Sequence, residues 1–318
     1  MKKFPSAMPI GSGGIRRQPV FGEDARDLRT QLVTLDTEDG HTWDGMLYRP
    51  RYGDPARRKL LVVVVHGSVG NYISGLPRRV SFGLAGDGFS VLAINTRMAN
   101  YGVFFGAGLL QRTPLDLDAA LEAARHHGYR RIVLLGYSMG ATMVTHYQAL
   151  RRPRDVIGVC TLAHPLSLPE SLRRRWERFG SIPDYDTVVD RCRRAGLPDD
   201  DDPANDRIFI VRRASGPTDL PEHAEIWTYR TWWHSRGPEA LHAESRSRIG
   251  GVTVPMLLVQ AGDDQMVPLA EGPELSRIAR AGGCPSIRLA TIAGADHVFR
   301  RRENWAIATA ASWLERFV

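Results

Sequence analysis

Residues 132–140 read Ile132-Val133-Leu134-Leu135-Gly136-Tyr137-Ser138-Met139-Gly140, an apolar run that ends in a serine with a glycine two positions before it and two after it. The run has the length and composition of a buried strand, and Met139, Met143, Val144, Tyr147 and Leu150 then recur on one helical face. A strand that passes directly into a helix must turn sharply at Ser138. The two backbones crowd there, so the flanking positions have to be small, and the serine hydroxyl is left exposed at the tip of a strained turn. Ser138 is therefore a candidate nucleophile.

A serine hydroxyl is a weak nucleophile at neutral pH and needs a base to take its proton and an acid to orient that base. Both residue types occur downstream in suitable settings. Val254 to Ala261 reads as a buried strand running into Gly262-Asp263-Asp264-Gln265-Met266-Val267-Pro268. Asp264 is the candidate acid, with Asp263 as its neighbouring alternative. Ile287 to Ile292 is a second strand-like segment, followed by Ala293-Gly294-Ala295-Asp296-His297. This places His297 at a loop tip before a terminal helix, as the candidate base.

With serine, carboxylate and histidine in that order, the chain resembles the α/β-hydrolase superfamily from about Val33 to the C-terminus. The resemblance implies an α/β fold built on a doubly wound, mostly parallel sheet. It also implies an acid three residues before a Val-Pro pair, the spacing that Asp264, Val267 and Pro268 show. Leu60 to Val65 is a nearly unbroken branched apolar run, as expected of a parallel strand buried on both faces, and it ends in His66-Gly67-Ser68-Val69-Gly70-Asn71. That loop is similar to the family's His-Gly loop. Carried over, the oxyanion donors are the backbone amides of Ser68 and Met139, with Val69 as the alternative to Ser68 because the repeated glycines of the lipase version are missing.

The activity implied is that of a serine hydrolase cleaving a carboxylic ester, lactone or thioester through an acyl-enzyme. It acts on a small-molecule substrate and needs neither metal nor organic cofactor. The same machinery can serve acyl transfer or carbon–carbon bond hydrolysis, and the fold can also serve a ligand receptor, since a fold does not determine function.

Composition frames these expectations. The chain has 318 residues, 43% of them hydrophobic, which is long for one compact core and points to one large domain carrying an insertion, or to two domains. No window approaches the length of a membrane span, and the basic Met1-Lys2-Lys3 start lacks the apolar run of a signal peptide. A cytoplasmic location is expected. Cys160, Cys192 and Cys284 are too few and too scattered for a disulfide framework or a metal knuckle. The formal charge of +7 is carried mostly by arginine, 39 of the 42 basic residues, spread along the chain beside carboxylates. No nucleic-acid-binding module accompanies them. Oligomeric state is not readable.

Along its length the chain opens with an arm, residues 1–28, of little periodicity. Gln31 to Asp36 and Trp43 to Tyr48 then read as a hairpin. Strands and helices alternate to about residue 165 and resume at 251, so residues 29–165 and 251–318 are expected to form the core. Residues 166–250 are polar, arginine-rich and tryptophan-bearing, in the position where the superfamily inserts a lid, and a helical lid is expected. Its acidic run Asp199 to Asp202 lacks the ligand spacing of a calcium loop.

Five residues are candidates for the substrate pocket. His66 and Val69 belong to the His-Gly loop, where His66 otherwise reads as a loop-shaping residue. Arg97 is what remains of the family's Asp-x-Arg-Gly-x-Gly turn in Asn95-Thr96-Arg97-Met98-Ala99-Asn100, ahead of the apolar Val103-Phe104-Phe105-Gly106. His164 closes the run Val156 to Ala163 at a strand end of the kind where ligands bind in open sheets; it either lines the pocket or is structural. Trp232, with Trp227 and Trp233, either lines the pocket or packs the insertion's own core. His146, within the helix after Ser138, is expected at the surface or partly packed.

Overall fold

A computed structural model describes residues 27–68, 70–99, 107–194, 207–213 and 224–318. The chain begins with an antiparallel hairpin, β1 (Leu28–Asp36) and β2 (Thr42–Pro50), longer at both ends than the alternation suggests. It continues through α1 (Pro55–Lys59), β3 (Leu60–Val65), α2 (Gly75–Gly86), β4 (Ser90–Ile94), α3 (Thr113–His126), β5 (Arg131–Tyr137), α4 (Met139–Arg151) and β6 (Val156–Leu162). The segment that follows carries α5 (Leu168–Phe179), β7 (Ser181–Ile182), α6 (Tyr185–Arg194), β8 (Ile208–Arg213), β9 (Ala224–Thr228) and α7 (Tyr229–Arg236). The chain closes with β10 (Met256–Ala261), α8 (Glu271–Ala281), β11 (Ile287–Ile292) and α9 (Glu303–Leu314).

Eight strands form one sheet in the order β1-β2-β4-β3-β5-β6-β10-β11. The hairpin adds antiparallel at one edge, and every other pairing is parallel. Successive side chains of a strand point to opposite faces, so β3 feeds two cores at once. Leu61, Val63 and Val65 pack with residues of α3, α4 and α8, whereas Leu60, Val62 and Val64 pack with α2 and α9. This two-sided burial is why β3 tolerates only apolar residues; each such side chain contributes on the order of 1.5–3 kcal/mol. The parallel strands end on the same side of the sheet, and the loops at those ends carry residues 66–68, 138, 264 and 297.

The insertion differs from the helical lid expected. Among the described residues it is mixed: three helices and a separate antiparallel sheet, β7-β8-β9. The reason lies in a period-two pattern masked by the arginine-rich composition, for in β8 Phe209 and Val211 are buried while Ile208 and Ile210 face out. Leu172, Trp176, Val188, Val189, Phe209, Val211, Trp227, Trp232 and Trp233 pack into a core of the insertion's own. Cys160, Cys192 and Cys284 are free and buried. Among the described residues, no helix is long and apolar enough to cross a membrane. The arm up to residue 26, Val69, the apolar loop Val103–Gly106 and the acidic run Asp199–Asp202 lie outside the described residues.

Candidate active site

Ser138 sits between β5 and α4 with φ 53° and ψ −117°, a conformation that side-chain-bearing residues seldom adopt. The packing around it explains why glycines flank it. A Cβ on Gly136 would stand 2.2 Å from the Gly140 carbonyl oxygen, and one on Gly140 would stand 2.5 Å from the carbonyl oxygens of Val65 and His66. The helix that starts at Met139 directs its N-terminal dipole toward the serine.

Two other loops converge on this turn. His297 Nε2 lies 3.0 Å from Ser138 Oγ, and His297 Nδ1 lies 2.8 Å from Asp264 Oδ2. The second oxygen of Asp264 accepts hydrogen bonds from the backbone N–H groups of Met266 and Val267, at 2.8 and 2.9 Å, which locks the carboxylate toward the histidine. Asp263, one residue earlier, is exposed. The tilted ring of Tyr137 stands 5.6 Å from the imidazole, centroid to centroid. The structure thus brings together three side chains whose positions span 159 residues of sequence.

A cavity of about 660 Å³ opens beside Ser138 and His297. Core loops contribute Ser68, Asn71 and Tyr137, and the insertion contributes Leu168, Leu172 and Arg236. Ser68 lines it next to the serine, and Met139 opens the helix directly after it.

Four of the expected pocket residues lie elsewhere, each for a definable reason. His66 is fully buried behind the loop: Nδ1–H donates to the Gly67 carbonyl at 2.8 Å, while Nε2 accepts from the Thr96 N–H at 3.2 Å. Burial holds its pKa down to about 4, so the ring is neutral and shapes the loop. Arg97 is equally buried, its guanidinium bonded to Asp116 and Asp39 at 2.8 Å each. It ties the loop after β4 to α3 and to the β1–β2 turn. His164 contacts Ser245 Oγ at 2.9 Å, which donates onward to Thr142; burial lowers its pKa to about 3. Trp232 packs inside the insertion's core, 6.0 Å from Trp176. Val69 lies outside the described residues.

One lining residue went unnoticed in the sequence. Arg236, the last residue of α7, is 2% exposed and donates through Nη2 to Ser68 Oγ and to Met139 Sδ. One arginine among 39 carries no local mark of such a position.

A doubly wound sheet with helices on both faces, a strained serine between strand and helix, and a histidine and carboxylate on later strand ends define the α/β-hydrolase class. The profile of the alpha/beta hydrolase family matches residues 62–307, and the chain belongs to that family. No curated protein matches it. Among solved structures, the esterase Pf2001 of Pyrococcus furiosus is 17% identical, with 95% of each chain covered and a TM-score of 0.62. Est1E of Butyrivibrio proteoclasticus, with ferulic acid bound, is 16% identical over 89% of this chain and 98% of that one, at a TM-score of 0.64. A hypothetical protein of Pseudomonas aeruginosa is 15% identical over 96% and 100%, at 0.67. At these identities the likeness is one of fold.

Proposed function

We propose that the protein is a serine hydrolase of carboxylic esters, with Ser138, His297 and Asp264 as its catalytic residues. The observation that carries this reading is the continuous relay, 3.0 Å from hydroxyl to imidazole and 2.8 Å from imidazole to carboxylate. His297 Nε2 takes the proton of Ser138 Oγ as the oxygen attacks the ester carbonyl. Asp264 holds the ring in the tautomer with Nδ1 protonated and stabilises the imidazolium that forms. The amides of Ser68 and Met139 face the developing oxyanion, aided by the N-terminus of α4. Collapse of the tetrahedral intermediate breaks the bond to the alcohol, which leaves with the proton from His297. A water then loses a proton to His297 and attacks the acyl-enzyme; collapse breaks the bond from the acyl carbon to Ser138 Oγ, which takes the proton back from His297, and the acid is released.

The test pairs turnover with labelling. Ser138→Ala should lower hydrolysis of a neutral 4-nitrophenyl ester by about four orders of magnitude or more and abolish labelling by a fluorophosphonate, with thermal unfolding unchanged. A Ser138→Ala protein that still turns over the ester would refute the assignment.

A further inference from the structure

Among the described residues two arginines are fully buried, Arg97 away from the cavity and Arg236 in its wall, and they differ in a second respect. Arg97 is neutralised by two carboxylates, whereas Arg236 meets none among the described residues. Its contacts are the Ser68 hydroxyl, the Ser235 carbonyl at 2.9 Å, the Met139 thioether at 3.1 Å and the face of Trp227, 5.5 Å from guanidinium carbon to ring centre. The carbonyl end of α7 supplies some partial negative charge. That compensation is small beside the cost of removing a guanidinium from water, which a protein normally meets with a carboxylate or a bound anion. Burial alone drives its pKa down, to about 10, so it stays charged at neutral pH.

The surroundings accentuate the imbalance. The charged lining of the cavity is Arg79, Arg175, Arg236 and Arg300 against Glu225 and Glu303. Glu225 is engaged by Arg175 and by the Trp227 indole N–H, Glu303 faces Arg79 at 3.5 Å, and Arg300 stands 3.9 Å from Asp296. The guanidinium of Arg236 thus reaches the cavity wall within contact of both residues flanking the oxyanion position, and its fork is suited to bidentate bonding of a carboxylate.

Resting on the esterase reading above, we propose that Arg236 is a specificity-determining residue that binds a carboxylate on the substrate, so that the protein acts on esters carrying one free carboxylate. The carboxylate could belong to the acyl half, as in a dicarboxylic acid monoester, or to the alcohol half, and the two arms of the experiment separate these. The first arm compares 4-nitrophenyl hemiglutarate with its methyl-capped analogue. The second compares the butyrate ester of 4-hydroxybenzoate with that of methyl 4-hydroxybenzoate.

In the native protein kcat/KM should favour the charged member of one pair by at least about tenfold, as loss of a buried charged partner implies, and the arm that shows it names the half. A ratio below tenfold in both arms overturns the proposal. If neither member of either pair is turned over and the fluorophosphonate does not label Ser138, it is the esterase reading that fails. Arg236→Met should bring the winning ratio to about one, and Arg236→Lys, which keeps the charge, should hold part of it. A folded Arg236→Met protein that keeps the full ratio overturns the assignment. Loss of the ratio in Arg300→Ala overturns it as well, and decides the matter even where Arg236 variants do not fold, because it moves the carboxylate to the exposed rim.

Discussion

Arg97 shows how much a single buried cation can depend on its partners. It bonds Asp116 through Nε and Nη2 and Asp39 through Nη1, with neither its own side chain nor that of Asp116 reaching solvent. Burial by itself would raise the Asp39 carboxyl, but hydrogen bonds from Arg97 and Thr37 bring its pKa down to about 2. Arg97→Met would strand the Asp116 carboxylate in the core, and unfolding in urea should show a loss of about 3–5 kcal/mol. The same variant should label normally with a fluorophosphonate while folded, since Arg97 lies away from the cavity. A loss under about 1 kcal/mol would show the pair to be dispensable.

At the level of elements, the decisive feature is the crossing of β5, α4 and the end of β3, where backbone replaces side chain. Gly140→Ala would press a methyl group to 2.5 Å from two carbonyl oxygens of the neighbouring strand end, and α4 must shift to relieve it. Ser138 rides on the first turn of that helix, so kcat for the neutral ester should fall by about a hundredfold with KM changed less; an unaffected kcat would mean the turn has slack. This part of the site was legible in the sequence because each requirement is local: a small residue two positions away, an apolar strand before, a helical face after. Asp264 and His297 were legible for a similar reason, each lying in a short loop just beyond a strand. What escaped were properties set by distant partners. Arg236 and Ser68 are 168 residues apart, and nothing in the neighbours of His66 or Arg97 tells that one closes on Thr96 and the other on Asp116 rather than on the pocket. The strands of the insertion escaped because β7 has only two residues and β8 and β9 are short, β8 ending in two arginines and β9 carrying a glutamate among its apolar positions.

At the scale of the molecule, three histidines among the described residues are buried in the neutral state: His66, His146 and His164, with pKa values lowered by burial to about 4, 4 and 3. The unfolded chain binds protons at these positions from about pH 6.5 downward, well before the folded one does. Stability is therefore complete above pH 6.5 and is lost as pH falls from there toward 4, each histidine adding a slope of up to about 1.4 kcal/mol per pH unit. Urea midpoints recorded from pH 7.5 to 4.5 should decline steeply, and His164→Gln should flatten the profile by about one histidine's share. A profile flat over that range would mean these rings are solvated. His146 was expected nearer the surface, but α4 is covered on nearly every side, so its histidine is covered with it.

The bond between α7 and the His-Gly loop also bears on how the two modules can diverge. Because the last residue of α7 places its guanidinium against Ser68 and Met139, the insertion is keyed to this particular core. A chimaera that set it upon a relative with a bulky or basic residue at the position of Ser68 would assemble with its key in the wrong lock, so cap and loop are expected to change together.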